Sequence, residues 1–104
     1  MGNANKFRSK IFKALSDTYR LEILDFLRYE EKCVCDIGQH IGISQPLISR
    51  HLKILKSCGI VKQRGEGTRR LYSVTDTRVF ELMDSATPEL VNALSKRAIE
   101  QINA

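Results

Sequence analysis

Residues 42–59 read GISQPLISRHLKILKSCG, a segment closed at both ends by glycine. Ser44 suits the N-cap of a helix, and Pro46 suits its first turn, where a missing N–H leaves nothing unpaired. Ile48, Leu52 and Leu55 then recur at i, i+4 and i+7, the spacing of one buried helical stripe. Gln45, Ser49, Arg50, Lys53 and Lys56 fall off that stripe. The segment is therefore predicted to form a helix that stops at Gly59 and presents a polar, basic face to solvent or a ligand.

Upstream, Val34 to Ile41 fits a short helix ended by Gly42, because a left-handed residue is cheapest as glycine. Further back, SDTYRLEILDFLRYEE opens another helix with Asp17 as N-cap and Leu21, Ile23, Leu24 and Leu27 at helical spacing. A first helix fits Asn5 to Ser16, with Phe7, Ile11, Phe12 and Leu15 on one stripe. Downstream of Gly59 the period changes. IVKQR (60–64) and RRLYSV (69–74) read as short strands, and GEGT (65–68) supplies the glycines of a hairpin turn. Val79, Phe80, Leu82 and Met83 then pack a helical segment. Thr87 and Pro88 open a last helix striped by Leu90, Val91, Leu94, Ala98, Ile99 and Ile102. So continuous an apolar face exceeds what a small core needs, and it is expected to pack against a second copy of the chain. Two helices around a tight turn, followed by a hairpin, describe a winged helix-turn-helix. The expected fold class is mainly α with a small β-hairpin, and residues 1–104 are expected to form one domain.

The 104 residues carry 17 Lys and Arg against 12 Asp and Glu, a net charge of +5. That excess suits a polyanionic partner and equally serves solubility. A chain of this length buries only about 60–65% of the surface its unfolded form exposes, which a dimer would improve. No apolar run reaches the ~20 residues of a membrane span. The start, MGNANKFRSKIFKAL, lacks the apolar core of a secretory signal, and Lys6 stands where a myristoylation pattern needs Ser or Thr. Three cysteines, an odd number, argue against a disulfide framework and for the reducing cytoplasm.

The polar face of the 45–57 helix has the chemistry of a major-groove reader. Gln45 and Ser49 donate and accept at base edges, and Arg50 grips either a phosphate or guanine. Ser44, beside the free N–H groups of the helix start, suits a phosphate, and Lys53 adds charge. Arg64, Arg69 and Arg70 flank the hairpin tip and suit a minor groove or its phosphates. Lys56 and Lys62 are as well explained by solvation. His51 and His40 are expected at the edge of the core.

The run CVCDIGQHIGISQPLISRHLKILKSCGIVKQRGEGTRRLYSV, together with FKALSDTYRLEILDFL before it, resembles the ArsR/SmtB family of arsenic- and metal-responsive transcriptional repressors. The resemblance extends from Phe12 through Val74. It implies a homodimer held by the first and last helices, an operator read by the helix from Gln45, and an effector that lowers DNA affinity. The family's arsenic site has the pattern Cys-Val-Cys-Asp-Leu-Cys. Its first two cysteines match Cys33 and Cys35, and its third position is Gly38 here. The family's other site, of Asp, His and Glu on the last helix, finds no His in TPELVNALSKRAIEQINA.

Cys33 and Cys35 are the candidate metal ligands. A helix N-terminus favours thiolates, and thiolates select arsenite, antimonite, cadmium, zinc or monovalent copper over hard ions. Two thiols leave a trivalent arsenic unfinished. The third ligand is Cys58, a cysteine of the other subunit, or a small-molecule thiol. Cys58 equally reads as a small buried apolar residue. A redox role for the Cys33/Cys35 pair stays open, because a Cys-X-Cys disulfide is strained and easily reduced. An adaptor that binds protein rather than DNA is opposed by the arginine set, and a thiol enzyme by the lack of any base at readable spacing. No resident cofactor is expected; the metal or metalloid is the effector, and operator DNA and a second copy of the chain are the partners.

Overall fold

A computed structural model describes residues 2–103 of the chain. Six helices and three strands follow in the order α1 (Gly2–Leu15), α2 (Thr18–Phe26), β1 (Lys32–Cys33), α3 (Val34–Ile41), α4 (Gln45–Ser57), β2 (Val61–Glu66), β3 (Arg69–Val74), α5 (Arg78–Asp84) and α6 (Pro88–Ile102). The architecture is mainly helical with a small antiparallel sheet, a winged helix-turn-helix. No described helix is long and apolar enough to cross a membrane.

The stripe read on residues 45–57 decides the core. Ile48, Leu52 and Leu55 are fully buried and meet Ile23 and Leu24 of α2 and Ile37 of α3, all equally buried. Leu21 is the exception on α2: it is partly exposed, so the apolar face is Ile23, Leu24 and Leu27. Each helix boundary has a local cause. The Asp17 carboxylate accepts the Arg20 N–H at 3.1 Å and starts α2. Thr87 accepts the Leu90 N–H at 3.2 Å and starts α6, with Pro88 next. Gly42, at φ 84°, ends α3 and makes the tight turn into α4. Ser44 occupies the N-cap of α4, but its side chain makes no capping hydrogen bond. The first helix begins at Gly2 and ends at Leu15, earlier at both ends than the apolar stripe predicts.

The hairpin is longer and its turn tighter than expected. Glu66 pairs with Arg69, so Gly65 and Glu66 belong to the strand and only Gly67 and Thr68 lie in the turn. Gly67 has φ 62°, as the first central residue of a type II′ turn requires. The sheet also has a third strand that the sequence does not announce. In β1, Lys32 pairs with Tyr72 and Cys33 with Leu71, giving the order β1-β3-β2. The wing is thereby joined through β1 to the start of α3.

Polar contacts fix the reader against its neighbours. The Arg20 guanidinium donates to the Ala14 carbonyl at 2.5 Å and to His51 Nδ1 at 3.1 Å, tying α1, α2 and α4 together. Tyr72 OH and Lys56 Nζ both donate to Gln63 Oε1, at 3.0 and 3.1 Å, which ties α4 to the wing. Arg28 donates to both carboxylate oxygens of Asp84, at 2.9 and 2.6 Å, and covers the Phe80 ring, seating α5 on α2. His40 is exposed and stacks on Phe26 with ring centres 3.9 Å apart. The last helix buries none of its residues: Leu94 is 63% exposed and Ile102 81%. Phe12 on α1 is 55% exposed.

Candidate nucleic-acid interface and thiol site

The α4 surface opposite the core stripe carries Gln45, Ser49, Arg50 and Lys53, all exposed, with Ser44 at its head. Among the described residues, Arg50, Lys53 and Arg70 form no ion pair with a carboxylate, so their charges face outward uncompensated. The Ser44 hydroxyl, which caps nothing, is likewise open to a phosphate beside the first N–H groups of α4.

The three wing arginines differ. Arg70 is exposed and unpaired. Arg64 turns back toward the body of the domain, where it forks onto Glu31 and also meets Glu66 at 3.0 Å. Those hydrogen bonds raise its pKa, and the same Arg64 contact holds the Glu31 carboxyl below its ordinary range. Arg64 thus ties the wing to the loop before β1 in the DNA-free chain, where Arg70 has no such partner among the described residues. Arg69 leans over the start of α3. Its guanidinium lies 3.7 Å from the Asp36 carboxylate, and its pKa is raised by the neighbouring Cys33 thiol first and then by the Asp36 charge.

Cys33 and Cys35 are free thiols in one place. Cys33 is buried, caps α3, and its sulfur accepts the Asp36 N–H at 3.4 Å. Cys35 is exposed, and its sulfur accepts from Gln45 Nε2 at 3.3 Å. Both line an open cleft of about 430 Å³ whose other walls are Val34, Gln45, Ser49, Thr68, Arg69 and Arg70. The cleft thus joins the thiols, the first turns of the reader and the tip of the wing.

Cys58 is elsewhere. It caps the C-terminal end of α4, thirteen residues beyond Gln45, with its thiol donating to the Ile54 and Leu55 carbonyls at 3.5 Å. At 1.5 Å rise per residue it stands about 20 Å from the Cys35 end of the helix. Within one chain it does not complete a site with the pair. Among the described residues no group of three or more His, Cys, Asp or Glu converges as a metal site. The donor set present fits a soft ion that takes two protein sulfurs.

Sequence reading missed the contacts that join these parts: Glu31 on Arg64, Gln45 on Cys35, and Arg69 on Asp36. Each spans a turn or a sheet pairing that no local periodicity marks. The pairing of Cys33 with Leu71 would have placed Arg69, two residues away on β3, next to the thiol.

The fold and the outward basic face define a winged helix-turn-helix regulator class. Residues 17–63 match the family of bacterial regulatory proteins of the arsR type. The chain is 41% identical over 75 residues to a probable mercury resistance operon repressor of Streptomyces lividans, covering 72% of this chain and 60% of that protein. It is 44% identical over 79 residues to a cadmium resistance regulatory protein CadC homolog of Staphylococcus aureus, covering 75% and 65%. It is 34% identical over 91 residues to an arsenical resistance operon repressor of Staphylococcus aureus, covering 88% and 86%. Among solved structures it is similar to a homodimeric winged helix-turn-helix DNA-binding domain from Mycobacterium bovis, with TM-score 0.74 and 31% identity, over 96% of this chain and 88% of that one. The chain belongs to the ArsR family.

Proposed function

We propose that the chain is a cytoplasmic, dimeric repressor that binds an inverted-repeat operator and is released by a soft metal or metalloid held at Cys33 and Cys35. The observation that carries this reading is the shared cleft, lined by both thiols together with Gln45, Ser49, Arg69 and Arg70, with Gln45 bonded to Cys35. The relatives' names, repressors of mercury and arsenical resistance and a cadmium resistance regulator, support a soft ion as the effector. Arsenite, antimonite and cadmium are the effectors we favour. With two protein sulfurs, a trivalent centre takes its remaining bond from a small-molecule thiol, from solvent or from the second subunit. The exposed stripes of α1 and α6 supply the dimer interface, and two-fold symmetry sets the two readers on half-sites about 34 Å apart or a multiple of that. Gln45, Ser49, Arg50 and Lys53 lie in the major groove, Ser44 on a phosphate, and Arg69 and Arg70 on the adjoining backbone.

The test is a fluorescence-anisotropy titration of the protein on its own upstream inverted repeat, with and without arsenite, antimonite or cadmium. The parent binds as a dimer, with affinity falling steeply as salt rises because phosphate counterions are released. The double variant Cys33→Ser, Cys35→Ser still binds but is not released by the ions. Release of that variant at the parent's effector concentration would sink the thiol site. Release of the parent by peroxide and not by metals, reversed by a dithiol, would reassign the pair to redox sensing.

A further inference from the structure

We propose that in the metal-free protein the Cys35 thiol positions a DNA-reading side chain: it holds Gln45 at the head of the reader. The proposal rests on the reading of Gln45 as DNA-facing, and it gives Cys35 a task before any effector arrives.

Gln45 is an exposed residue in the first turn of α4, with several freely rotating side-chain bonds. Left in solvent, such a side chain samples many rotamers, and ordering it on a base edge costs affinity. Here its amide donates to the Cys35 sulfur at 3.3 Å, a contact that limits those rotamers before DNA is met. Arg69 is similarly exposed on β3, and its guanidinium lies 3.7 Å from the Asp36 carboxylate in the first turn of α3. Both contacts cross from one DNA-facing element to the start of α3, so reader and wing are referred to one fixed point.

Release then has a local cause. When a soft divalent ion enters, two S–H bonds are lost as protons to solvent and two S–metal bonds form. The metal-bound sulfur keeps lone pairs, but the S–metal bond resets their direction and fills the space beside them. The Gln45 amide then loses the geometry of its contact with Cys35. Operator affinity falls because the bound arrangement is no longer prepared in advance. By linkage, operator DNA lowers the protein's affinity for the ion by the same factor.

The test needs no metal. Operator affinity is measured in a chelator for the parent, Cys35→Ala, Cys35→Ser, Gln45→Ala and the double variant Cys35→Ala, Gln45→Ala. Cys35 is exposed, so its substitutions leave the core untouched. Cys35→Ala is expected to weaken binding by about threefold, the loss of one modest hydrogen bond. Cys35→Ser recovers most of that loss, because a hydroxyl accepts in the same place. In the Gln45→Ala background, Cys35→Ala costs nothing further, since the contact is already gone. Full affinity in Cys35→Ala, equal loss in Cys35→Ser and Cys35→Ala, or additive losses in the cycle would overturn the positioning role while leaving the repressor reading intact. A parent that does not bind the inverted repeat at all would sink both.

Discussion

Arg64 donates from Nε to both carboxylate oxygens of Glu31, at 3.0 and 2.8 Å, across 33 residues of sequence. This pair ties β2, the outer strand of the hairpin, to the loop that precedes the thiols. An arginine already held by two carboxylates has less to offer a phosphate than one facing outward alone. Arg64→Gln is therefore expected to lower stability only slightly, because solvent screens an exposed ion pair. Its effect on operator affinity should be smaller than that of Arg70→Gln. Paired denaturation and anisotropy measurements on the two variants check this, and an Arg64→Gln loss of binding equal to that of Arg70→Gln would return Arg64 to the interface.

Arg50 lies off the buried stripe of α4 and pairs with no carboxylate among the described residues. Arg50→Ala should cost about 1–3 kcal/mol of operator binding and leave the melting temperature nearly unchanged. By contrast, Leu52→Ala on the inner face should destabilise the fold by about 2–5 kcal/mol, because a fully buried side chain leaves a cavity. A melting temperature that falls for Arg50→Ala and holds for Leu52→Ala would mean that the two faces of the helix had been exchanged.

Much of this arrangement is legible in the chain because it is periodic or local. Ile48, Leu52 and Leu55 mark the inner face of the reader, Gly42 and Gly59 mark its limits, and Asp17 and Thr87 mark two helix starts. What is not legible depends on pairing at a distance. The strand Lys32–Cys33 is two residues long, too short for alternation to reveal, and exists only through its bonds to β3. The tetrapeptide GEGT offers two glycines to a turn, and only the register of Glu66 on Arg69 selects Gly67. Leu21 has helical spacing yet stays partly exposed, because no neighbour covers that side of α2. At the site, the residue types were readable, but the contacts of Gln45 with Cys35 and of Arg69 with Asp36 needed the third dimension.

The acid limb of stability should follow a small set of surface carboxylates. Asp76 is held down to about 2 by hydrogen bonds from the Arg78 side chain and backbone. Asp17 is lowered first by the Arg20 N–H, Asp84 by Arg28, and Glu31 by Arg64. Groups whose pKa is depressed on folding stabilise the native state above their unfolded pKa, near 4 for carboxylates, and lose that contribution as pH falls through the folded value. Denaturation midpoints are therefore expected to be flat above pH 5 and to fall between about pH 4 and pH 2. Asp76→Asn should make that fall shallower, and an unchanged acid limb in the variant would remove Asp76 from the set.

Gly38 stands where the family pattern has its third cysteine, and a Cβ is accommodated there. A Cβ at Gly38 would meet the Ile43 carbonyl oxygen at 3.6 Å, Gln45 Cγ at 3.7 Å and Ile48 Cγ1 at 3.9 Å, all ordinary contacts. Its backbone is helical, with no positive φ to forbid a side chain. Replacing a helical glycine removes a propensity cost of up to about 1 kcal/mol, so Gly38→Cys should fold at least as stably as the parent. The new residue sits one turn after Cys35 on α3 and against Gln45, whose amide already touches the Cys35 sulfur. Three thiols then become available to a pyramidal arsenic where the parent offers two. Gly38→Cys is expected to tighten arsenite binding on the order of tenfold or more, with a smaller change for an ion satisfied by two sulfurs. Isothermal titration of arsenite into parent and variant measures the difference directly. Equal arsenite affinity in the two proteins would place the bound arsenic away from Cys33 and Cys35, or show that the parent already completes its third bond from another source.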